Sequence, residues 1–339
     1  MKIAIHNDGK LWNKIWEDYC AKNNIPYTLV DCYRNDVIDV LVEYDVLMWH
    51  WHHADPKAVL FARQLISSIE MMGKKVYPDS KTCWHFDDKI GQKYLLEAVQ
   101  APLVPSYIFY DKREALEWID QTDFPKVFKL RNGAASYNVR LVRTKNEAEN
   151  LVKKAFGRGF TAINRRALFK DRIWHLRRDK NLNSLIGLGK GLARLLVPTE
   201  FEKFHGREKG YVYFQDFIPG NKWDFRMQVI GNKCWGFRRL VREGDFRASG
   251  AGKEDHDYTK IPIELVKKSF EIKKALGLQT VGFDFIMNEK NQFLLVEMSY
   301  CFGYEKGDGE VHWDDDLNLV NEKIDGPDLV LENILKGKI

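Results

Sequence analysis

The sequence predicts an α/β protein with a parallel sheet near its N-terminus, followed by two α+β regions. Three observations lead to this prediction. Short apolar strands alternate with amphipathic helices over roughly residues 1–85, which is typical of a parallel sheet covered by helices. Strands and helices also mix between 86 and 156, and strands dominate after Tyr211. The 339 residues, 45 % of them hydrophobic, are enough for two or three domains with substantial cores.

The first region is predicted to be an N-terminal α/β domain over residues 1–85. Four short apolar segments are the expected strands, at 2–5, 26–32, 44–51 and 74–79. Residues 11–24 carry apolar side chains at helical spacing. An amphipathic helix is expected over 56–73, because Pro56 suits its start and Gly73 its end.

The second region, 86–209, is predicted to be an α+β subdomain with a long basic insertion. Helices are expected at 86–100, 111–121 and 145–156. The stretch 124–144 predicts two strands joined by a loop of small residues. Residues 157–209 follow no clear period and are dense in Arg and Lys between 164 and 180. This insertion suggests an anionic partner, although a solvated basic face fits it equally well.

The third region, 210–339, is predicted to be a second subdomain that begins with an antiparallel set of strands. These strands are expected at 211–220, 222–231 and 233–244, and Gly231–Asn232 is a hairpin signal between the last two. A helix over 262–277 precedes a predicted hairpin with strands at 280–288 and 292–300. A final helix is expected at 326–335.

Composition narrows the class of protein. The net charge of +5 suits an anionic ligand such as a nucleotide, but is low for a dedicated nucleic-acid binder. The sequence has no run of about 18 apolar residues, so no membrane span is predicted. The N-terminus lacks the apolar core of a signal peptide. The five cysteines are scattered without a CxxC pair. We therefore expect a cytoplasmic protein without nucleic acid as a partner; peripheral contact with anionic lipid headgroups is an alternative.

Two acidic residues stand in the predicted C-terminal hairpin. Asp284 lies in an apolar strand and Glu297 near the end of its partner, and a turn at Lys290–Asn291 places them opposite each other. Close carboxylates repel in an apolar setting, and Mg²⁺ would relieve this conflict. Ser299, on the same face as Glu297, could add a neutral oxygen. The alternative is that both acids pair with Arg or Lys elsewhere in the sheet.

Two lysines and a loop of small residues suggest phosphate binding. Lys129 ends a strand-like run and precedes small residues at 133–136, where backbone N–H groups could approach phosphates. Lys89 lies at the start of a helix, and both lysines could act as point charges. The segment does not match the GxxxxGK[ST] pattern. An ordinary β-hairpin turn is the alternative.

Two further segments carry polar groups within strand-like runs. In "YFQDFIPGNKWDFR" the strand breaks at Pro219–Gly220, which could present backbone groups to a base and Asp224 to a ribose. In "FRRLVREGDFRASG" Arg239 and Arg247 flank a turn, and guanidinium groups suit phosphoryl and carboxylate oxygens. The alternatives are a plain sheet edge and a solvated basic face. In "HWHH", His52 and His53 could line a ligand cleft at the end of the third strand.

These segments, in this order, resemble the ATP-grasp superfamily, and within it the RimK-like ligases that join a carboxylate to an amine. The resemblance runs from about residue 84 to 300, and its most specific parts are "GNKWDFR", "GFRRLVREGDFRASG", "VGFDFIM" and "LLVEMS". The chain departs from the family at Ser299, where the family has Asn. The segments "DFRASG" and "VEMSY" also resemble a branch found among capsule and O-antigen biosynthesis proteins.

The resemblance implies roles for individual residues. ATP phosphates would be held by Lys89 and Lys129 and covered by a loop of Gly133, Ala134, Ala135, Ser136 and Tyr137. The adenine would meet a hinge formed by Gln215, Asp216, Phe217 and Ile218, and the ribose would meet Asp224. The γ-phosphate and acyl group would face Arg226, Arg239 and Arg247. Mg²⁺ would be ligated by Asp284, Glu297 and Ser299.

The resemblance also implies an ATP-grasp fold, in which an N-terminal α/β domain precedes two α+β subdomains that clamp ATP. The expected activity is ATP-dependent joining of a carboxylate to an amine through an acylphosphate. The expected cofactors are ATP and Mg²⁺, with Mn²⁺ as an alternative. The expected acid is a sugar acid such as a uronic acid, free or linked to a nucleotide or lipid, in surface polysaccharide biosynthesis. A sugar kinase or a non-catalytic ATP-binding module is the alternative, and the oligomeric state is not predicted.

Overall fold

The computed structural model describes residues 1–53, 55–132, 138–161, 206–241, 253–303 and 309–339, together with Phe246 and a few residues between 162 and 205. These residues form a mixed α/β structure with three larger sheets and one two-stranded sheet. Within the described ranges, no helix has the length and apolar character needed to cross a membrane. The predicted α/β fold class is confirmed.

The first sheet is parallel, as the alternation of strands and helices predicts, and has the order β2-β1-β3-β4. Its strands are β1 Ile3–His6, β2 Tyr27–Val30, β3 Val46–Met48 and β4 Lys75–Tyr77. The helices that accompany it are α1 Leu11–Lys22, α2 Val37–Leu41 and α3 Pro56–Met71. Asp55 caps α3 by accepting hydrogen bonds from the backbone N–H groups of Lys57 and Ala58. Buried Trp49 and Trp51 pack with Ile66 of α3 in the core of this layer.

The second sheet is antiparallel and has the order β5-β10-β6-β7. Its strands are β5 Ser106–Phe109, β6 Lys126–Lys129, β7 Val139–Val142 and β10 Val212–Asp216. The helices of this region are α4 Ser80–Cys83, α5 Lys89–Ala98, α6 Lys112–Gln121 and α7 Lys145–Ala155. Buried residues of α6 and α7 pack against Phe128 and Phe214 of the sheet. The separate two-stranded sheet pairs β8 Phe160–Thr161 with β9 Arg207–Glu208.

The position of β10 corrects the predicted antiparallel set. The sequence pattern grouped residues 211–220 with the two strands that follow, whereas β10 pairs with β5 and β6. The strand ends at Asp216, and the chain then turns away through Pro219 and Gly220, whose φ is +81°. The boundary expected after residue 209 therefore falls before a strand that belongs to the second sheet.

The third sheet is the largest, with the order β15-β14-β11-β12-β16-β17 and β13 paired to β12. Its strands are β11 Trp223–Ile230, β12 Lys233–Leu240, β13 Glu254–Asp255, β14 Thr280–Met287, β15 Phe293–Ser299, β16 His312–Asp314 and β17 Leu319–Val320. The turn predicted at Gly231–Asn232 connects β11 to β12. Helix α8, Ile263–Leu276, packs on this sheet and ends at Gly277 with φ +63°.

The last helix, α9 Gly326–Leu335, returns to the N-terminal domain. The Nε1–H of Trp16 in α1 donates a hydrogen bond of 2.8 Å to the carbonyl of Pro327. Leu331 and Ile334 are fully buried in one cluster with Ile230 of β11. The first and third sheets therefore share a hydrophobic core, so their relative position depends on α9.

We expect Leu331→Ala to lower the free energy of unfolding by about 2–5 kcal/mol, because truncating a buried leucine leaves a cavity. Urea unfolding followed by circular dichroism would measure the change. The control is Leu60→Ala on α3, where the side chain is 61 % exposed and the expected change is within about 0.5 kcal/mol. Equal effects of the two substitutions would contradict the role given to α9.

Candidate active site

One cavity of about 250 Å³ brings together most of the predicted site residues. Its walls come from the second sheet, the third sheet and the N-terminal domain. The predicted residues that line it are Lys129, Gln215, Asp216, Phe217, Ile218, Asp224, Arg226, Arg239, Asp284, Glu297 and Ser299. Lys89 is not a lining residue, but it contacts Glu297. The predicted loop 133–137 and Arg247 lie outside the described residues.

The segment that follows β10 lines the part of the cavity expected to meet adenine. The side-chain Nε2 of Gln215 donates to Ser106 Oγ at 3.0 Å, and Asp216 pairs with Lys126 Nζ at 2.6 Å. Both side chains are thus engaged in the second sheet. The chain then leaves the strand at Phe217 and Ile218, and the ring of Phe217 lies edge-on to Phe246 with centroids 6.0 Å apart. This arrangement suits a flat base that is bound by backbone groups and apolar side chains.

Two acids and two arginines alternate across three neighbouring strands of the third sheet; we call them the charge array. Its members are Asp224 and Arg226 on β11, Arg239 on β12 and Asp284 on β14. The register places Arg239 opposite Asp224 and Asp284 opposite Arg226. Because side chains two apart on a strand share a face, all four meet on one side of the sheet. The sequence predicted these residues as site residues, and its alternative, in which Asp284 pairs with Arg elsewhere in the sheet, is the arrangement that the structure shows.

In the charge array, each arginine donates to both oxygens of one carboxylate in a nearly bidentate geometry. Arg239 donates to both oxygens of Asp224, at 2.8 and 2.6 Å, and to Asp284 Oδ2 at 3.0 Å. Arg226 donates from Nε and a terminal nitrogen to the two oxygens of Asp284. Asp224 therefore orients Arg239 here, which differs from the ribose contact implied by the resemblance. Burial alone would raise the pKa of Asp284, but Arg226 and Arg239 outweigh it and hold the pKa below its usual value.

The two predicted phosphate lysines flank Glu297. Lys89 is 6 % exposed, and its Nζ lies 3.4 Å from Glu297 Oε1. Burial disfavours its charge, but the nearby carboxylates, with Glu297 first among them, outweigh this and raise the pKa of Lys89. Lys129 is 4 % exposed, and burial, with Lys89 nearby, lowers its pKa to about 8. Two buried cations at one cavity attract anionic groups such as phosphate oxygens.

The residues present fit Mg²⁺, although not for the reason given by sequence reasoning alone. Asp284 and Glu297 are directly opposite each other, as predicted, with a register shift after Asp284. Their repulsion is already relieved, because Asp284 pairs with arginines and Glu297 with Lys89. The argument for a cation therefore depends on donor chemistry, since Asp284, Glu297 and Ser299 bring oxygen atoms to one cavity. No group of three or more His, Cys, Asp or Glu side chains in the described ranges suits a metal by itself, so phosphate oxygens would have to complete the site.

Sequence reasoning missed part of the cavity wall. Phe86, Asp87, Asn221 and Cys301 line the cavity but were not predicted as site residues. Of His52 and His53, which were expected to line a cleft at the end of the third strand, His53 lines the cavity and His52 is not among its lining residues. The sequence gives a weak indication that Asp87 is a site residue, because it lies two residues before the predicted phosphate lysine Lys89. These residues reach the cavity only because the first sheet packs against the third.

Comparison with known protein families gives a match in the second half of the chain. Residues 180–322 match the model of the RimK-like ATP-grasp domain. The predicted resemblance to RimK-like ATP-grasp proteins is therefore confirmed for this part of the chain. This match does not support the narrower resemblance to capsule and O-antigen biosynthesis proteins.

Individual relatives agree with this assignment. α-Aminoadipate–LysW ligase LysX of Saccharolobus solfataricus is 22 % identical over 240 residues, which are 70 % of each chain. A RimK domain ATP-grasp protein from Sphaerobacter thermophilus superposes with a TM-score of 0.54 and 15 % identity, covering 90 % of this chain and 92 % of that one. The biotin carboxylase domain of Hydrogenobacter thermophilus 2-oxoglutarate carboxylase, solved with MgADP, ADP and bicarbonate, gives a TM-score of 0.59 and 12 % identity, covering 99 % and 69 %.

These likenesses confirm the ATP-grasp fold predicted from the sequence. Together with the family match, they also confirm the predicted class of enzyme, an ATP-dependent carboxylate–amine ligase that forms a C–N bond. They do not address the individual site residues, whose roles stay proposals based on the geometry of the cavity.

The lowered pKa of Lys129 predicts a pH dependence of nucleotide binding. Phosphate oxygens favour the charged lysine, so ATP affinity should fall as the pH rises through about 8, where the unliganded protein loses this charge. Calorimetric titration with a non-hydrolysable ATP analogue over a pH series would measure this. Lys129→Arg keeps its charge over the whole series and should remove the decline. Equal affinity of the unaltered protein below and above this pH would contradict the role of Lys129.

Proposed function

We propose that the protein activates a small carboxylic acid with ATP and joins it to an amine in the cavity between the second and third sheets. The observation that carries this proposal is the ion pair of buried Lys89 with Glu297, with buried Lys129 lining the same cavity beside the charge array. Phosphoryl transfer to a carboxylate needs positioning and positive charge more than a protein nucleophile. The cavity supplies both through Lys89, Lys129 and the arginines.

In the first proposed step, an oxygen of the substrate carboxylate attacks the γ-phosphorus of ATP. The bond between the γ-phosphorus and the bridging oxygen breaks, and ADP leaves with the electron pair. Lys89 and Lys129 would balance the charge of the phosphates, and Arg226 and Arg239 would stabilise the charge that develops on the transferred group. Mg²⁺, held by Asp284, Glu297 and Ser299, would withdraw charge from the phosphate oxygens when bound; Mn²⁺ would suit the same donors.

In the second proposed step, the free-base nitrogen of the amine attacks the carbonyl carbon of the acylphosphate. The bond from this carbon to the phosphate oxygen breaks, phosphate leaves with the electron pair, and the nitrogen loses one proton to solvent. Arginine N–H groups would stabilise the oxyanion that forms on the carbonyl oxygen. Exclusion of water would protect the acylphosphate from hydrolysis.

The proposal also covers the class of carboxylic acid that the protein activates. The relative LysX is named for joining α-aminoadipate, an amino dicarboxylic acid, to LysW. The sugar acid in polysaccharide synthesis that we expected from the sequence has no such support. We therefore propose a small polar carboxylic acid, with amino dicarboxylic acids and uronic acids as the two groups to compare first.

The experiment incubates the protein with Mg-ATP, each acid and an amine panel, and measures ADP and phosphate. We expect ADP release that requires an acid, and with hydroxylamine present, formation of that acid's hydroxamate. A stable phosphorylated product, formed without any carboxylate, would instead show a sugar kinase. Tight ATP binding without turnover on any acid would show a binding module. Either of these two results would overturn the ligase proposal.

We expect Glu297→Gln to reduce acid-dependent ADP release by roughly 100-fold or more, because it removes the charge that faces both lysines and the proposed metal. The side chain is 36 % exposed, so the fold should be retained, which circular dichroism would verify. Glu43→Gln, at a side chain that is 72 % exposed, is the matched control and should leave the rate unchanged. Full activity of Glu297→Gln would show that the assignment of Glu297 is wrong.

A further inference from the structure

One part of the cavity wall is not used by the proposed binding of ATP; we call it the N-terminal wall. It consists of His53, which follows β3, and of Phe86 and Asp87, which stand between α4 and α5. These residues line the same cavity as Glu297 and Ser299. A ligase of this kind needs room for a second substrate, so the chemistry of this wall bears on which groups can bind there.

Asp87 is held in place by the segment around it. Its φ of +53° is in the left-handed region, which aspartate and asparagine adopt more readily than most residues. The next residue, Asp88, donates its backbone N–H to the carbonyl of His85 at 3.1 Å. The Asp88 carboxylate accepts hydrogen bonds from the Gly91 N–H at 3.0 Å and from Arg131 at 2.5 Å. The backbone that carries Asp87 is therefore fixed before a substrate binds.

The charge of the N-terminal wall favours a cation. Asp87 contributes a carboxylate that lines the cavity. Burial, together with the charge of Lys89, lowers the pKa of His53 to about 4, and its imidazole is neutral at neutral pH. Phe86 adds an aromatic ring to the same wall. A carboxylate, a neutral imidazole and an aromatic ring are suited to an ammonium group.

We propose that the N-terminal wall binds the amine substrate as its ammonium ion, with Asp87 as the acceptor of its hydrogen bond. The ammonium ion gives one proton to solvent before its nitrogen attacks the acylphosphate. This inference rests on the proposed ligase function, because it assigns the second substrate of that reaction to a part of the same cavity. Asp87 lines the same cavity as Glu297, and Glu297 contacts Lys89. The amine is thus bound next to the place where the phosphorylated carboxylate forms, which shortens its path to the carbonyl carbon.

The test compares cationic amines with a neutral one. The cationic probes are ammonia, ethylamine, lysine and glucosamine, and the neutral probe is hydroxylamine, which is mostly unprotonated at neutral pH. We expect Asp87→Asn to raise the KM for the cationic amines about 10- to 100-fold, which is the value of a hydrogen bond to a charged group. The KM for ATP and the rate of hydroxamate formation should not change. Asparagine also adopts a positive φ, so the backbone is preserved.

Two further variants complete the test. Asp87→Gly keeps the backbone conformation, removes the side chain entirely, and should show the same selective loss. Asp18→Asn removes one carboxylate from a side chain on α1 that is 68 % exposed, and should leave every KM unchanged.

The outcomes separate the amine site from the ligase proposal. If the unaltered protein forms no hydroxamate with any acid, the ligase proposal fails and this inference fails with it. If hydroxamate forms but both Asp87 variants keep the KM for the cationic amines, the amine site alone is overturned. The amine site would also be overturned if the protein forms hydroxamate but uses none of the cationic amines as a substrate.

Discussion

The charge array of Asp224, Arg239, Asp284 and Arg226 is the interaction on which the geometry of the cavity depends. Each acid touches at least one arginine, and Arg239 touches both acids, so four desolvated charges balance within one set of hydrogen bonds. Removal of Arg239 would leave Asp224 without its salt-bridge partner, and removal of Asp284 would do the same to Arg226, which is far more costly than the net gain from an intact pair. The array also requires a fixed register among β11, β12 and β14, since a slip of one residue would turn its members to the other face.

Glu297 differs from Asp284 in how strongly the protein engages it. Asp284 accepts from two arginines on both oxygens, whereas the ion pair of Glu297 with Lys89 is longer, at 3.4 Å, and its side chain is more exposed. Asp284 is therefore engaged mainly by the arginines. Glu297 is the carboxylate that is more accessible to a cation or to groups attached to a phosphate. This division explains how two facing carboxylates can coexist in one cavity before a ligand neutralises them.

Local patterns in the sequence predicted much of the fold and of the cavity. Polar residues in apolar strands marked Asp224, Arg226 and Asp284. The short turn, together with a register shift between Asp284 and Phe285, sets Glu297 opposite Asp284. The partners of β10 could not be predicted in this way, because strand pairing is decided by contacts far apart in sequence. The short strands β16 and β17 gave no periodic signal, since they contain only three and two residues. His53 and Asp87 join the site through the packing of separate sheets, which no local pattern encodes.

Buried hydrogen bonds between the N-terminal domain and the third sheet fix these parts of the cavity relative to each other. The hydroxyl groups of Tyr77 and Thr280 are 3.0 Å apart, and Tyr300 donates its hydroxyl proton to the carbonyl of Trp51. Gln279 donates its side-chain N–H to the carbonyl of Val76 at 2.9 Å. Each bond is desolvated, so breaking one would leave a polar group unpaired in the core. His53 lies two residues after Trp51, and Glu297 lies three before Tyr300. The wall that we assign to the amine and the carboxylate that faces the phosphate lysines are therefore positioned together, which is the preorganisation that transfer between two substrates requires.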